Sequence, residues 1–148
     1  MSTLSSNPNA SVSVSKAAIT GAIAGLVGGL VFGIMMAMQG ILPMVGMLIR
    51  QESAVIGFIV HMLISAFIGA VYGVAISRFD LSPRTAVLGG VVNGIVWWML
   101  GALILMPLGL GMTDMVFAIG QMQWMSLLGH LIYGLITAFV YRYLALRG

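Results

Sequence analysis

The sequence predicts an all-α integral membrane protein: a bundle of four transmembrane helices, built from two tandem helix hairpins. Three observations carry that expectation. Of 148 residues, 61% are apolar and only 6% charged, which is not the composition of a soluble globular domain. The apolar residues gather into four stretches, about 17–39, 53–77, 84–106 and 123–144. Each is near the roughly 20 residues needed to cross a bilayer as a helix. No polar stretch between them is large enough to fold alone.

Taken in order, the chain opens on "MSTLSSNPNASVSVS", rich in Ser and Asn and free of charged side chains. Residues 1–15 therefore read as a flexible cytoplasmic tail rather than a secretory leader, with a single membrane domain over 16–148. The apolar run behind the tail is too long for the core of a signal peptide and stays as the first span. Between the second and third spans, Ser82-Pro83 suits a helix start, with Ser as cap and Pro in the first turn. The two outer connections, "GILPMVGMLIRQE" and "LGLGMTDMVFAIGQMQ", are too apolar for free loops. They predict short interfacial helices or caps over the bundle.

Charge sets the orientation. Lys16, Arg78, Arg84, Arg142 and Arg147 fall on one side of a four-span arrangement, and only Arg50 on the other. The positive-inside rule then places both termini and the 78–84 loop in the cytoplasm. Tyr72, Tyr141 and Tyr143 fall near the inner interface and Trp124 near the outer one. The general look resembles small bacterial four-span membrane proteins, which implies the inner (plasma) membrane. The net charge of +3 informs topology, and no basic face suggests nucleic acid.

The chain also reads as a weak duplication, with repeats of about 17–79 and 84–148. At an offset of 69, Gly21 pairs with Gly90, Gly25 with Gly94, His61 with His130, Tyr72 with Tyr141 and Arg78 with Arg147. Both copies would insert in the same direction, making a parallel repeat. Small residues follow at helical spacing: Ser65, Gly69 and Gly73 after His61, and Gly134 and Ala138 after His130. The first span carries Gly21, Gly25, Gly29 and Gly33, the third Ala86, Gly90 and Gly94. Such stripes let backbones approach closely, within the bundle or in self-association. Asn93 reads as an interhelical hydrogen-bond donor, and Trp97 and Trp98 as core or lipid-facing residues.

His61 and His130 are the candidate site. Both fall about 10–12 Å below the outer end of parallel spans, on a diagonal of an up-and-down bundle. Ionisable residues at such depth suggest function. The sharpest expectation is one b-type haem, ligated by His61 and His130 and serving electron transfer in a membrane complex. Ser65 and Gly134 would leave room for the macrocycle and Tyr133 would be a polar neighbour. Gln51, Gln121 and Gln123 are further polar candidates, and Arg50 could meet a propionate. The same pair could ligate a chlorin pigment.

Other readings compete. The histidines can serve only helix packing in a structural or accessory subunit, with no cofactor. Apart from Met1, every methionine falls in the outer half or outer caps: Met35, Met36, Met38, Met44, Met47, Met62, Met99, Met106, Met112, Met115, Met122 and Met125. Thioethers with imidazole suit Cu(I), though Met is also an adaptable packing residue. A small channel or transporter is a further alternative, weakened because no carboxylate lies within a span. The absence of cysteine excludes disulfides and thiolate metal sites. Glu52, Asp80 and Asp114 lie in separate loops, so no catalytic set can be named. An activity of its own is not expected.

Overall fold

The computed structural model describes residues 12–148. Among them every regular element is helical, and four helices are long and apolar enough to cross a membrane. Those four are α1 (Val14–Met38), α3 (Ala54–Ile76), α4 (Pro83–Gly109) and α5 (Gln121–Arg147), with a short α2 (Leu42–Gly46) between the first two. The four expected spans match α1, α3, α4 and α5 to within three residues at every boundary. Of the expected tail, residues 1–11 lie outside the described residues, and helix already begins at Val14.

The helix starts follow from serine chemistry. Ser13, Ser53 and Ser82 cap α1, α3 and α4, accepting from the backbone N–H groups of Lys16, Ile56 and Thr85. Each bond satisfies a donor that the first helical turn leaves free. At the start of α5 the Gln123 side chain accepts instead from Gly120 N at 2.9 Å.

Within α4 the coil widens into a π-helix over Trp98–Leu105. Pro107 follows, and without an N–H it cannot pair with the Leu103 carbonyl. That carbonyl accepts from Phe117 N at 3.1 Å, drawing the outer connection back over the helix. Phe117 takes a left-handed backbone (φ 56°) in this turn.

In the bundle, α1 packs closely on α3 and on α5, and α5 closely on α4; α3 and α4 meet only lightly. Helices α3 and α5 therefore lie on a diagonal, as expected for the spans bearing the two histidines. Glycine permits the close pairs. A Cβ on Gly21 or Gly25 would strike the backbone of Gly69, and one on Gly73 the backbone of Ala17 and Gly21. Gly28 faces Thr137 and Tyr133 of α5. The glycines of α1 thus serve contacts inside the bundle.

The two outer connections differ. The first is a packed cap: Leu42, Val45 and Gly46 of α2 are buried, and Gly57 admits the Leu42 carbonyl. Arg50, left-handed at φ 61°, turns the chain back into α3. The second connection buries Leu103 and Pro107 at its base but leaves residues 111–115 and 119–120 exposed. The first is thus a buried cap, and the second carries a short helical turn, Thr113–Met115, in its exposed part; these are the two forms expected of the outer connections.

Candidate functional site

The histidine level is organised by a residue that sequence spacing did not single out. Phe32, on α1, is buried and meets both imidazoles edge-on, with ring centroids 5.4 Å from His61 and 4.9 Å from His130. The shared contact puts the histidines at one height, as their positions along the spans imply. Gly129, just before His130, makes room for Phe32: a Cβ there would run into the ring. Gly33 similarly admits Phe58 and the His61 ring, whose Cδ2 would lie 3.1 Å from an added Cβ.

The two histidines are held differently. His61 Nε2–H donates across the helix pair to the Gly29 carbonyl at 2.9 Å, and Ser65 Oγ lies 3.5 Å from the same nitrogen. His130 instead donates from Nδ1 to the Ser126 carbonyl of its own helix at 2.8 Å. A carbonyl can only accept, so each bond fixes a tautomer: Nε2–H for His61 and Nδ1–H for His130. Nε2 of His130 and Nδ1 of His61 have no hydrogen-bond partner among the described residues.

Of the other expected site residues, Ser65 and Tyr133 are brought together: the Tyr133 hydroxyl donates to the Ser65 carbonyl at 2.7 Å across the diagonal. Gly134 faces α4 instead, against the backbone of Gly90 and Gly94. Gln51, Gln121 and Arg50 are exposed at the outer end. Gln123 is occupied with the start of α5, where its carbonyl also accepts from Trp98 Nε1 at 2.9 Å. Trp98 is buried and stacks on the exposed Trp124. Trp97 is half-buried, edge-on to Phe67. Most of the methionines are exposed, while Met36 is buried and Met35 packs against the core beneath the cap.

Further along the core toward the end that carries Lys16 and Arg147 lies a second polar layer. Tyr72 and Tyr141 are buried and meet edge-to-face at 5.9 Å, so they are core residues rather than the interfacial belt expected of them. Tyr143 is exposed, with the Arg147 guanidinium over its ring at 4.2 Å. Among the described residues, the buried Tyr72 Oη and Asn93 Nδ2 have no hydrogen-bond partner, and buried Thr137 Oγ1 has none but the neighbouring Tyr133 hydroxyl. Asn93, expected to donate between helices, is thus buried with its amide nitrogen unsatisfied. Leaving such a group unpaired costs about 1–3 kcal/mol.

Loop chemistry surrounds the same end. Asp80 Oδ1 accepts from Ser82 N (2.9 Å) and Thr85 Oγ1 (2.6 Å). These Ser82 and Thr85 bonds hold its carboxyl down to about 2. Arg142 Nε donates to the Leu81 carbonyl at 2.7 Å, tying α5 to the loop.

Chemically, the histidine level offers one imidazole tied between two helices and one tied to its own, with an aromatic ring against both. Among the described residues no three His, Cys, Asp or Glu side chains gather as a metal group. No known family of proteins matches the chain, and neither a curated protein nor a solved structure is significantly similar to it.

Proposed function

We propose that the chain is an integral membrane protein of the bacterial inner membrane, with both termini cytoplasmic, acting as a structural or accessory subunit without catalysis of its own. Its two hairpins derive from a duplication, and its histidines join helices. One observation carries this reading: His61 donates to the Gly29 carbonyl across the α1–α3 contact. A polar group in an apolar interior is accommodated by such a bond, and Phe32 extends the contact to His130. The single basic group at the outer end against five at the other supports the orientation.

Haem b between the two histidines is a second reading, and one detail favours it. His130 has the arrangement of a ligand imidazole, with Nδ1 donating to a carbonyl and Nε2 left for a metal. His61 does not fit in the same way, because its Nε2 is engaged by Gly29. Phe32 also occupies the place between the rings. A macrocycle there requires Phe32 to swing out and His61 to exchange its partner. The same requirements apply to a chlorin. Cu(I) binding by methionine has no comparable support, since Met44, Met47 and Met112 are exposed in the two outer connections.

Absorption spectroscopy of the purified protein separates the readings. The structural reading predicts no Soret band, before or after adding haem, in the wild type. A Soret band with sharp visible bands on reduction, lost in His61→Ala and His130→Ala, would replace it with the haem reading.

A further inference from the structure

Along the outside of the α1–α3 pair runs an open groove of about 420 Å³. It is lined by Phe67, Ala70, Val74 and Ala75 of α3 and by Ala18 of α1, with Arg78 at the end nearest the loop to α4. Phe67, Ala75 and Arg78 are exposed, so the groove opens away from the bundle. The step from Phe67 to Arg78 covers about 16 Å at helical rise. One leaflet of a bilayer offers about 15 Å of hydrocarbon, so the groove has the length of one leaflet. Phe67 stands at its deep end, held edge-on by Trp97 of α4.

The matching positions of the second hairpin carry bulk instead. Adding 69 to Ala70, Val74 and Ala75 gives Phe139, Tyr143 and Leu144, and Arg78 becomes Arg147. The Arg147 guanidinium lies over the Tyr143 ring at 4.2 Å, so that cation already has a neighbour on its own helix. Arg78 faces small side chains where Arg147 meets a ring. Asp80, the acid nearest to Arg78 in sequence, is turned to Ser82 and Thr85. Among the described residues no carboxylate lines the groove.

We propose that this groove binds an anionic phospholipid, with one acyl chain along Ala70, Val74 and Ala75 and the phosphate at Arg78. A flexible acyl chain fills the hollow that small side chains leave and gains contacts along its length. Arginine pairs with phosphate oxygens through two parallel bonds, and its stem can lie on the apolar wall while the guanidinium reaches the headgroup level. A zwitterionic lipid offers the same phosphate but brings a cation of its own, which opposes Arg78. An apolar helix seated in the groove would cover Arg78 without supplying an anion, which is costly. The proposal rests on the chain spanning a bilayer, and on neither its orientation nor the role of the histidines.

Native mass spectrometry of the full chain, released from detergent micelles, counts bound lipids directly. With phosphatidylglycerol and phosphatidylcholine of identical acyl chains, the first phosphatidylglycerol should bind about fivefold more tightly, the factor for one cation at a membrane surface. Arg78→Gln should abolish that preference, and Arg147→Gln should keep it. Ala70→Phe combined with Ala75→Leu gives the first hairpin the side chains of the second. It should weaken the first binding step at least about fivefold for both lipids. Equal affinity for the two lipids in the wild type would overturn the proposal while leaving the spanning reading intact. So would equal losses from Arg78→Gln and Arg147→Gln. Unchanged lipid affinity in the filled variant would overturn it too, and a dimer lost there would assign the groove to a second copy of the chain. If the filled variant does not fold, the two arginine variants decide. A chain that stays in solution without detergent and binds neither lipid would overturn the spanning reading, and the proposal with it.

Discussion

The α1–α3 hairpin and the α4–α5 hairpin carry matching small residues and a matching histidine, yet they pack in different registers. In the first, Gly21 lies against Gly69 and Gly73. In the second, Gly90 stands at the position of Gly21 when 69 is added, but lies against Gly134 and Ala138. Those residues correspond to Ser65 and Gly69, so the second pair has slid by one turn. The cause is visible one turn on. Gly29 lets α3 approach and offers its carbonyl to His61. The corresponding residue of α4 is the buried Trp98, whose indole turns to Gln123. Its bulk begins the π-helical stretch rather than a close helix contact. His130 therefore uses its own helix as acceptor. The register of each hairpin sets the role of its histidine: the first brings the Gly29 carbonyl to His61, and the second sets Gly94 against the His130 backbone.

Phe32 makes the hairpins depend on each other. Its counterpart by the same offset is Gly101, where an added Cβ would meet nothing within 4 Å. Phe32→Ala should thus give the largest effect, about 3–5 kcal/mol of stability, since it removes a buried ring from both histidines at once. Unfolding in mixed detergent micelles would measure it. A loss under about 1 kcal/mol would mean that the hairpins are coupled elsewhere.

The register difference gives the next contrast. Gly69→Ala places a methyl on the Gly21 carbonyl and the Gly25 backbone, whereas at Gly90 the nearest atom, Gly134 O, is 2.8 Å away. Overpacking costs about 1–3 kcal/mol, and Gly69→Ala should lie at the top of that range with Gly90→Ala near its foot. Equal losses would show that the two helix pairs are equally tight.

Removing the histidines sharpens the comparison at smaller amplitude. His61→Leu breaks a bond between helices, and His130→Leu only one within a helix. Bonds between membrane helices are worth about 0.6–1.7 kcal/mol, so His61→Leu should destabilise by about that much and His130→Leu by less than half of it. A larger loss from His130→Leu would reverse the assignment.

The smallest effect lies in the loop joining the hairpins. Ser82 and Thr85 hold the Asp80 carboxyl below its ordinary value of 3.8, at about 2. A depressed acid contributes above its unfolded pKa, so this contribution is complete above about pH 4 and fades as pH falls through about 2. Thermal melts over that window should show a slope in the wild type that Asp80→Ala lacks. Identical slopes would remove Asp80 from the loop's stability.

The spans were legible because hydropathy acts locally, as does the Ser82 cap, whereas the Ser13 and Ser53 caps went unread; the shared height of His61 and His130 followed from helix rise alone. Tyr133 and Ser65 do meet, as two members of one expected site. What spacing could not supply was the partner on the facing helix. Gly29 looked like one glycine of a packing stripe, and Phe32 like any apolar residue of a span. The glycine beside His130 was the available sign that a bulky ring approaches there. Tyr72 and Tyr141 were misplaced for the same reason: a tyrosine near a span end suits an interface, and only the meeting of the two rings across the α3–α5 diagonal shows them turned inward.

Histidine tautomers give the most direct test of this account. Nitrogen NMR of the protein labelled with ¹⁵N-histidine, assigned with His61→Gln and His130→Gln, reads which ring nitrogen carries the proton. The structure predicts opposite states, Nε2–H for His61, which donates to Gly29, and Nδ1–H for His130, which donates to Ser126. Nδ1–H in both rings, with each Nε2 shifted as in a metal ligand, would contradict the helix-joining role and favour the haem reading.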